Sequence, residues 1–167
     1  MSNQSEIHVN LPDKSVCMSL KKNLYQLCRQ FVEDKRAAIQ ESLASLQSSL
    51  ENEERNSAGD TYETGRSMLH LEMEKIQEQL ESIRELQNLL ETMDLSSSQG
   101  AVKHGSLVIT DQGRYFISIS AGALQTEQGD TCFAVSPSSP IGKLMLGKEK
   151  GDSVIFGERK FLILEVL

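Results

Sequence analysis

The chain has 167 residues, 38% of them hydrophobic and none of them Trp, so it can form one ordinary domain or two small ones with a modest core. Its net charge is −7, and residues 1–95 carry all of it, with 17 acidic and 10 basic side chains against 7 of each in residues 96–167. Because phosphate affinity comes from cationic contacts, such a protein is a poor candidate for wrapping free duplex nucleic acid; contact with DNA or RNA would need a basic partner that holds it there.

Cysteine usage and hydropathy indicate the compartment. The three cysteines are widely spaced and form no C-x-x-C pair, which argues against a disulfide framework or a zinc site. Residues 1–16 are polar and lack the apolar core of a secretory signal. No apolar run approaches the length needed to cross a bilayer. We therefore expect a cytoplasmic protein that does not enter membranes.

The first half of the chain has helical periodicity. Lys14 to Asn56 contains neither Pro nor Gly, and a second stretch of similar pattern follows a short break at residues 56–59. Both carry a/d-type apolar stripes of a coiled coil with stutters, and a short connection makes two helices antiparallel neighbours. The sequence predicts an N-terminal antiparallel coiled-coil hairpin over residues 1–95, with its tip near 56–64. The stripes consist of Leu20, Leu24, Leu27, Phe31, Ile39, Leu43, Leu46 and Leu50, then Leu69, Met73, Ile76, Leu80, Ile83, Leu86, Leu90 and Met93.

The second half of the chain changes to a period of two. Residues 96–100 are small and polar and predict a linker, and residues 101–167 then alternate β-rich runs with Gly-containing turns. A short helix is predicted with Ser139 as N-cap, Pro140 at its first position and Gly147 past its end. The fold class is therefore α+β, a helical hairpin followed by a small, mainly antiparallel β domain with one short helix. The predicted strands are 106–110, 115–120, 132–135, 153–156 and 161–167.

Two carboxylates, Asp60 and Glu63, stand three positions apart where the second helix begins. Asp at the N-cap with Glu three residues later is a capping-box arrangement, and on spacing alone this is the stronger interpretation. Carboxylates at this spacing on an exposed turn can also share a hard cation such as Mg²⁺, although two ligands are too few for its six-oxygen shell. A site that is completed only by another molecule would lend a second metal to that molecule's active centre.

Two motifs connect these features to a known family. Residues 59–63, GDTYE, match a G-D-x-x-E tip motif between two coiled-coil helices. Residues 135–154, VSPSSPIGKLMLGKEKGDSV, resemble the pattern S-P-I-x-x-x-L-x-G-K-x-x-G-D-x-V. In both motifs, and in their order along the chain, the sequence resembles the Gre family of transcript-cleavage and elongation factors (GreA/GreB-like).

The resemblance implies an accessory factor that is not itself an enzyme. An FKBP-like C-terminal domain would dock at the rim of the secondary channel of RNA polymerase, and the coiled coil would enter the channel and stimulate cleavage of backtracked nascent RNA. By motif, Asp60 and Glu63 become the catalytic carboxylates, which hold a Mg²⁺ shared with the polymerase active site and not bound to the free protein. Ser139, Pro140 and Ile141 become the loop that meets the polymerase, and we expect a monomer.

The chain departs from the family directly after the tip motif. Residues 64–67, TGRS, follow where the family usually has Asn-Ala-Glu-Tyr, and a Gly in the first helical turn costs about 1 kcal/mol relative to Ala. This difference keeps open an alternative function, a non-cleaving regulator that binds in the same channel. A prolyl isomerase, suggested by the FKBP-like domain alone, is disfavoured because few aromatic residues are present and some alternate into the sheet core. A coiled-coil dimer is disfavoured by the break at residues 56–59.

Arg55 and Arg66 flank the tip and are candidates for contact with the RNA 3′ segment. Isolated arginines on helices are more often solvated or paired with neighbouring acids, here Glu51 or Glu63. Three histidines lie too far apart in sequence to form a metal-ligand spacing, and we expect them to be solvated.

Overall fold

The computed structural model describes residues 14–56, 61–96 and 100–167. Two long helices come first: α1 spans Lys14–Asn56 and α2 spans Thr61–Glu91. At a rise of 1.5 Å per residue, α1 is about 65 Å long and α2 about 46 Å. Helix α1 coincides with the stretch that lacks Pro and Gly, as predicted.

The two helices run antiparallel. At one end, the carboxylate of Glu53 lies against Gly65, near the start of α2. At the other end, Val32 and Leu90 line a shared groove. Late residues of α1 therefore face early residues of α2, which confirms the predicted hairpin.

The predicted apolar stripes form the seam between the helices. Leu24, Leu46, Ile76, Ile83 and Leu90 are buried, and the other stripe residues are half-buried. The Glu, Gln, Lys and Ser residues between them are mostly exposed, so the seam is narrow and the remaining helix surface faces solvent.

Near its start, helix α1 buries a second face that the stripes did not include. Cys17, Lys21, Cys28 and Val32 are all buried, and the three apolar members pack into a core shared with the sheet. The Sγ atom of Cys28 lies 3.5 Å from the Oγ atom of Ser118, which directly follows a strand of that sheet. We call this part of the hairpin, up to Val32, its base.

Asp94, which follows α2, ties the base to the segment before the sheet. Its carboxylate accepts hydrogen bonds from the backbone N and Oγ of Ser96, at 2.9 and 2.5 Å, and pairs with Lys103 at 3.4 Å. The hydrogen bonds from Ser96 lower the pKa of Asp94. Burial lowers the pKa of Lys21, and the charge of Asp94 opposes that effect.

Six strands and one short helix follow the hairpin: β1 (Leu107–Thr110), β2 (Gly113–Ile117), β3 (Gly122–Gln125), β4 (Thr131–Val135), α3 (Pro140–Met145), β5 (Ser153–Phe156) and β6 (Arg159–Val166). The strands form one mixed sheet in the order β3-β4-β2-β1-β6-β5. Strands β2 and β4 are parallel and the other four pairings are antiparallel, so the prediction of a mainly antiparallel sheet is confirmed. Strand β3 was not among the predicted strands.

The sheet separates two cores. Leu107 and Phe116 point toward the hairpin base, whereas their neighbours Val108 and Tyr115 point toward Met145 of α3, because successive side chains of a strand alternate between faces. The layers are therefore hairpin, sheet and short helix, and the α+β class is confirmed. The FKBP-like assignment and the domain boundary at residues 96–100 stay predictions, and residues 97–99 lie outside the described part.

The far half of the hairpin has no such support. Among the described residues, no α1 side chain beyond Ile39 belongs to the core shared with the sheet. From there to Asn56 the helix continues for about 25 Å with only α2 beside it. We call this part the outer rod.

Candidate functional site

The tip motif is positioned by the two helix ends. Helix α1 ends at Asn56, helix α2 begins at Thr61, and Glu63 is the third residue of α2. Asp60 lies outside the described residues, and the side chain of Glu63 is likewise outside them. The backbone therefore places residue Glu63 in the first turn of α2, at the far end of the hairpin, and the pairing of the two acids stays a prediction.

Three exposed acidic side chains lie close to the tip among the described residues. Glu51, Glu53 and Glu54 all lie in the last turns of α1. Both carboxylate oxygens of Glu53 lie 3.1 Å from the position that a Cβ would take on Gly65. The bare backbone of Gly65 thus lets an acid of α1 rest on the start of α2, a contact that the sequence pattern did not reveal because the two residues belong to different helices.

The charge of the outer rod is unbalanced over its whole length. Residues 40–56 and 65–80 contain seven acidic and three basic side chains. Arg55 is exposed and makes no ion pair with Glu51 in the described part, and Arg66 is also exposed. A surface of this sign repels free phosphates, so the rod can approach RNA only where cations of another molecule compensate it.

The predicted docking loop is held rigidly by its own hydroxyl groups. Ser139 is the N-cap of α3, as predicted: its Oγ accepts a hydrogen bond from the backbone N of Gly142 at 3.1 Å and donates one to the carbonyl of Ser136 at 2.7 Å. A Cβ on Gly142 would lie 2.0 Å from that same carbonyl, so the position requires glycine. Because the Ser139 hydroxyl is engaged inside the loop, the exposed Pro140 and the half-buried Ile141 are the side chains that a partner can contact.

One histidine differs from the prediction that all are solvated. His104 is half-buried, its ring donates a hydrogen bond to the backbone carbonyl of Ser118, and burial lowers its pKa. Its Nε2 atom is buried and has no hydrogen-bond partner among the residues described. His104 therefore belongs to the junction of hairpin and sheet, whereas His70 on α2 is exposed as predicted.

Within the described ranges, no three His, Cys, Asp or Glu side chains converge in a way that could hold a metal ion. No described helix is long and apolar enough to span a membrane. The carboxylates of the tip motif have the oxygen chemistry that Mg²⁺ prefers, but two of them leave most of its ligand shell to another molecule.

No family model matches the sequence, and no curated protein is significantly similar to it. Two solved structures resemble the chain over most of its length. A structure of the transcription factor Gfh1 is 24% identical, the match covers 88% of this chain and 95% of that one, and the TM-score is 0.31. A crystal structure of GreA factor homolog 1 (Gfh1) of Thermus thermophilus is 22% identical, with coverages of 86% and 94% and a TM-score of 0.31.

Proposed function

We propose that this protein binds RNA polymerase, inserts its hairpin into the secondary channel and presents Asp60 and Glu63 to promote Mg²⁺-dependent cleavage of backtracked RNA. The observation that carries the proposal is the position of the G-D-x-x-E motif. It joins two antiparallel helices at the far end of a rod whose outer half packs against nothing but itself in the described part.

The outer rod supplies reach. A hairpin that served only to fold would stop where the core that it shares with the sheet ends, near Ile39. Helix α1 instead continues to Asn56, although each further turn adds only a narrow seam of buried surface. The extra length is useful to a protein that acts on a centre buried inside a larger enzyme.

The negative charge of the outer rod would restrict its contact with RNA to transcripts that the polymerase holds. Because acidic residues predominate along it, the rod has little affinity for free RNA or DNA. Inside a polymerase, where cationic groups and metal ions already bind the transcript, the same acids become attractive partners. The protein would therefore reach RNA only through the enzyme, which suits an accessory factor.

The tip supplies two oxygen ligands, and the polymerase must supply the rest. The carboxylates of Asp60 and Glu63 would orient and stabilise a cation that neither protein holds firmly alone. Mg²⁺ held there would supply the chemistry of a second metal, which activates the attacking water or steadies the leaving oxygen. The exposed acids Glu51 and Glu54 would add negative potential without being ligands.

A cleavage assay tests the proposal. A backtracked elongation complex is incubated with Mg²⁺ and the full-length protein, and short 3′ RNA fragments are measured. Asp60→Ala and Glu63→Ala should each reduce cleavage to the rate of polymerase alone while polymerase binding persists. Glu51→Ala removes an exposed carboxylate near the same end of the hairpin, in the last turns of α1, and is the matched control, which should cleave as the wild type does.

The other outcomes separate the alternatives. If the wild-type protein binds the polymerase but yields no fragments, it is a non-cleaving channel regulator. If it does not bind the polymerase at all, the proposal is wrong. If Glu51→Ala abolishes cleavage as completely as Glu63→Ala does, the tip acts through its overall charge and not through two specific ligands.

A further inference from the structure

A groove of about 400 Å³ opens on the face of the sheet that carries α3. It runs from the short helix to the turn that joins β5 and β6. We call it the aromatic groove, and it is lined by Tyr115, Ile141, Phe156, Glu158, Arg159 and Phe161. Its size is within the range of sites that hold a side chain or a small ligand.

The floor of the aromatic groove is preformed. The ring of Tyr115 stacks on Phe133 and meets Phe161 edge-on, with 5.8 Å between ring centroids in both pairs. Tyr115 and Phe161 are buried from below by the core under α3. Rings fixed on both sides lose little further entropy when a partner binds, so the groove is ready to accept an apolar group.

The rim of the groove includes apolar surface that is exposed to solvent. Phe156 is 42% exposed, although it shares its face of the sheet with the buried residues Val154 and Phe161. Helix α3 has only six residues and covers one end of the sheet. The exposed ring of Phe156, beside the buried rings of Tyr115 and Phe161, therefore offers apolar contact surface to a partner.

A cation stands at the edge of the groove. Arg159 makes no ion pair in the described part, whereas the Arg114 guanidinium in the same sheet is paired with Asp130. Arg159 and Tyr115 line the groove together. Burial raises the pKa of the Tyr115 hydroxyl, and the charge of Arg159 opposes this rise. An apolar pocket with an uncommitted arginine is complementary to an apolar side chain that has a carboxylate nearby.

We propose that the aromatic groove receives an apolar side chain from a segment of RNA polymerase, and that Arg159 pairs with a neighbouring carboxylate of that segment. The proposal rests on the proposed function, because Ile141 belongs both to the docking loop and to the groove wall. It extends the docking surface from the three-residue loop across the sheet to β5 and β6.

Matched pairs of variants on adjacent residues test the proposal. Phe156→Ala and Arg159→Glu alter the groove, whereas Ile155→Ala and Lys160→Glu alter exposed side chains that extend from the opposite face of the same two strands. Equilibrium binding of the full-length protein to core RNA polymerase is measured at two salt concentrations. We expect Phe156→Ala and Arg159→Glu each to weaken binding about tenfold or more, as for a central interface residue. Both controls should remain within about twofold of the wild type.

Salt separates the two contributions. Binding of Arg159→Glu should depend less steeply on salt than that of the wild type, because an ion pair with the partner is lost. Phe156→Ala should keep the wild-type salt dependence. Thermal melting of each variant checks that the fold persists, which is expected because Phe156 and Arg159 are both exposed.

Several results would overturn the inference. If the wild type binds polymerase and Phe156→Ala binds equally well, the groove is not part of the interface, although the proposed function stands. A wild type that does not bind polymerase contradicts both. If sedimentation shows a dimer and Phe156→Ala is a monomer, a second copy of the chain fills the groove. If the wild type isomerises prolyl peptides and Phe156→Ala does not, a peptide substrate fills the groove.

Discussion

The base and the outer rod consist of the same two helices, but the helices bury more of their surface at the base. At the base, α1 is buried on two faces, and Leu24 and Cys28 are fully enclosed between α2 and the sheet. In the outer rod only one narrow seam is buried, and Leu46 has no partner from the sheet. We therefore expect the base to contribute most of the free energy of unfolding. The outer rod buries less surface and extends beyond the sheet.

This difference predicts unequal effects for the same substitution. Leu24→Ala should lower the free energy of unfolding by about 3 to 5 kcal/mol, because a cavity in an enclosed core cannot collapse. Leu46→Ala should cost about 2 kcal/mol or less, because two isolated helices can close over the gap. Urea denaturation of both variants measures the contrast. Equal costs would mean that the outer rod is supported by contacts beyond its seam.

The next prediction concerns the predicted docking loop, where Ser139 is the N-cap of α3. Ser139→Ala removes the N-cap of α3 and should cost about 1 kcal/mol, with faster amide exchange at Gly142. Ser138→Ala removes a neighbouring exposed hydroxyl, which bonds only to the Oγ of Ser136 at 3.0 Å, and is the control. Similar exchange at Gly142 in both variants would contradict the assigned role of Ser139.

At the opposite end of the molecule, Gly65→Ala should stabilise the protein by up to about 1 kcal/mol, since alanine favours the helix. The new methyl group would meet the carboxylate of Glu53 at 3.1 Å, but that carboxylate ends a flexible, exposed side chain that can shift. Thermal melting measures the gain. The gain should grow when Glu53→Ala is added, and a loss of stability in the double variant would show that Gly65 serves another purpose.

The smallest expected effect concerns the pH dependence of stability at the junction of hairpin and sheet. Burial holds the pKa of His104 below its ordinary value near 6.5, so the folded state favours the neutral ring. The unfolded chain then binds the proton first, and the stability contribution is complete above about pH 6.5 and declines as the pH falls below it. His104→Asn should flatten this decline, measured by denaturation between pH 7 and pH 5. His70→Asn, on the exposed surface of α2, should leave it unchanged.

The sequence predicted the elements whose pattern is local. The absence of Pro and Gly bounded α1, and the apolar stripes predicted the seam. The second buried face of α1 was not predicted because Lys21 interrupts it, and a lysine in a series is normally evidence for solvent. Strand β3 was missed because Gly122–Gln125 lacks β-branched residues and exposes three of its four residues.

Only part of the candidate site could be predicted from the sequence. The motif identified Asp60 and Glu63, and the cap of α3 followed from Ser139 and Pro140 alone. The aromatic groove did not follow, because the period-two pattern assigns Tyr115 and Phe161 to the core and does not show that their rings also line a surface. A local sequence pattern does not show which residues of distant elements come into contact.

The delivery of the tip by the rod is the central claim, and shortening the rod tests it most directly. Removing residues 43–49 and their partners 69–75 deletes seven residues from each helix, keeps the seam and shortens the rod by about 10 Å. The base, the docking loop and the tip residues are unchanged. We expect this variant to bind RNA polymerase as the wild type does and to lose RNA cleavage. Undiminished cleavage by the shortened protein would contradict the account.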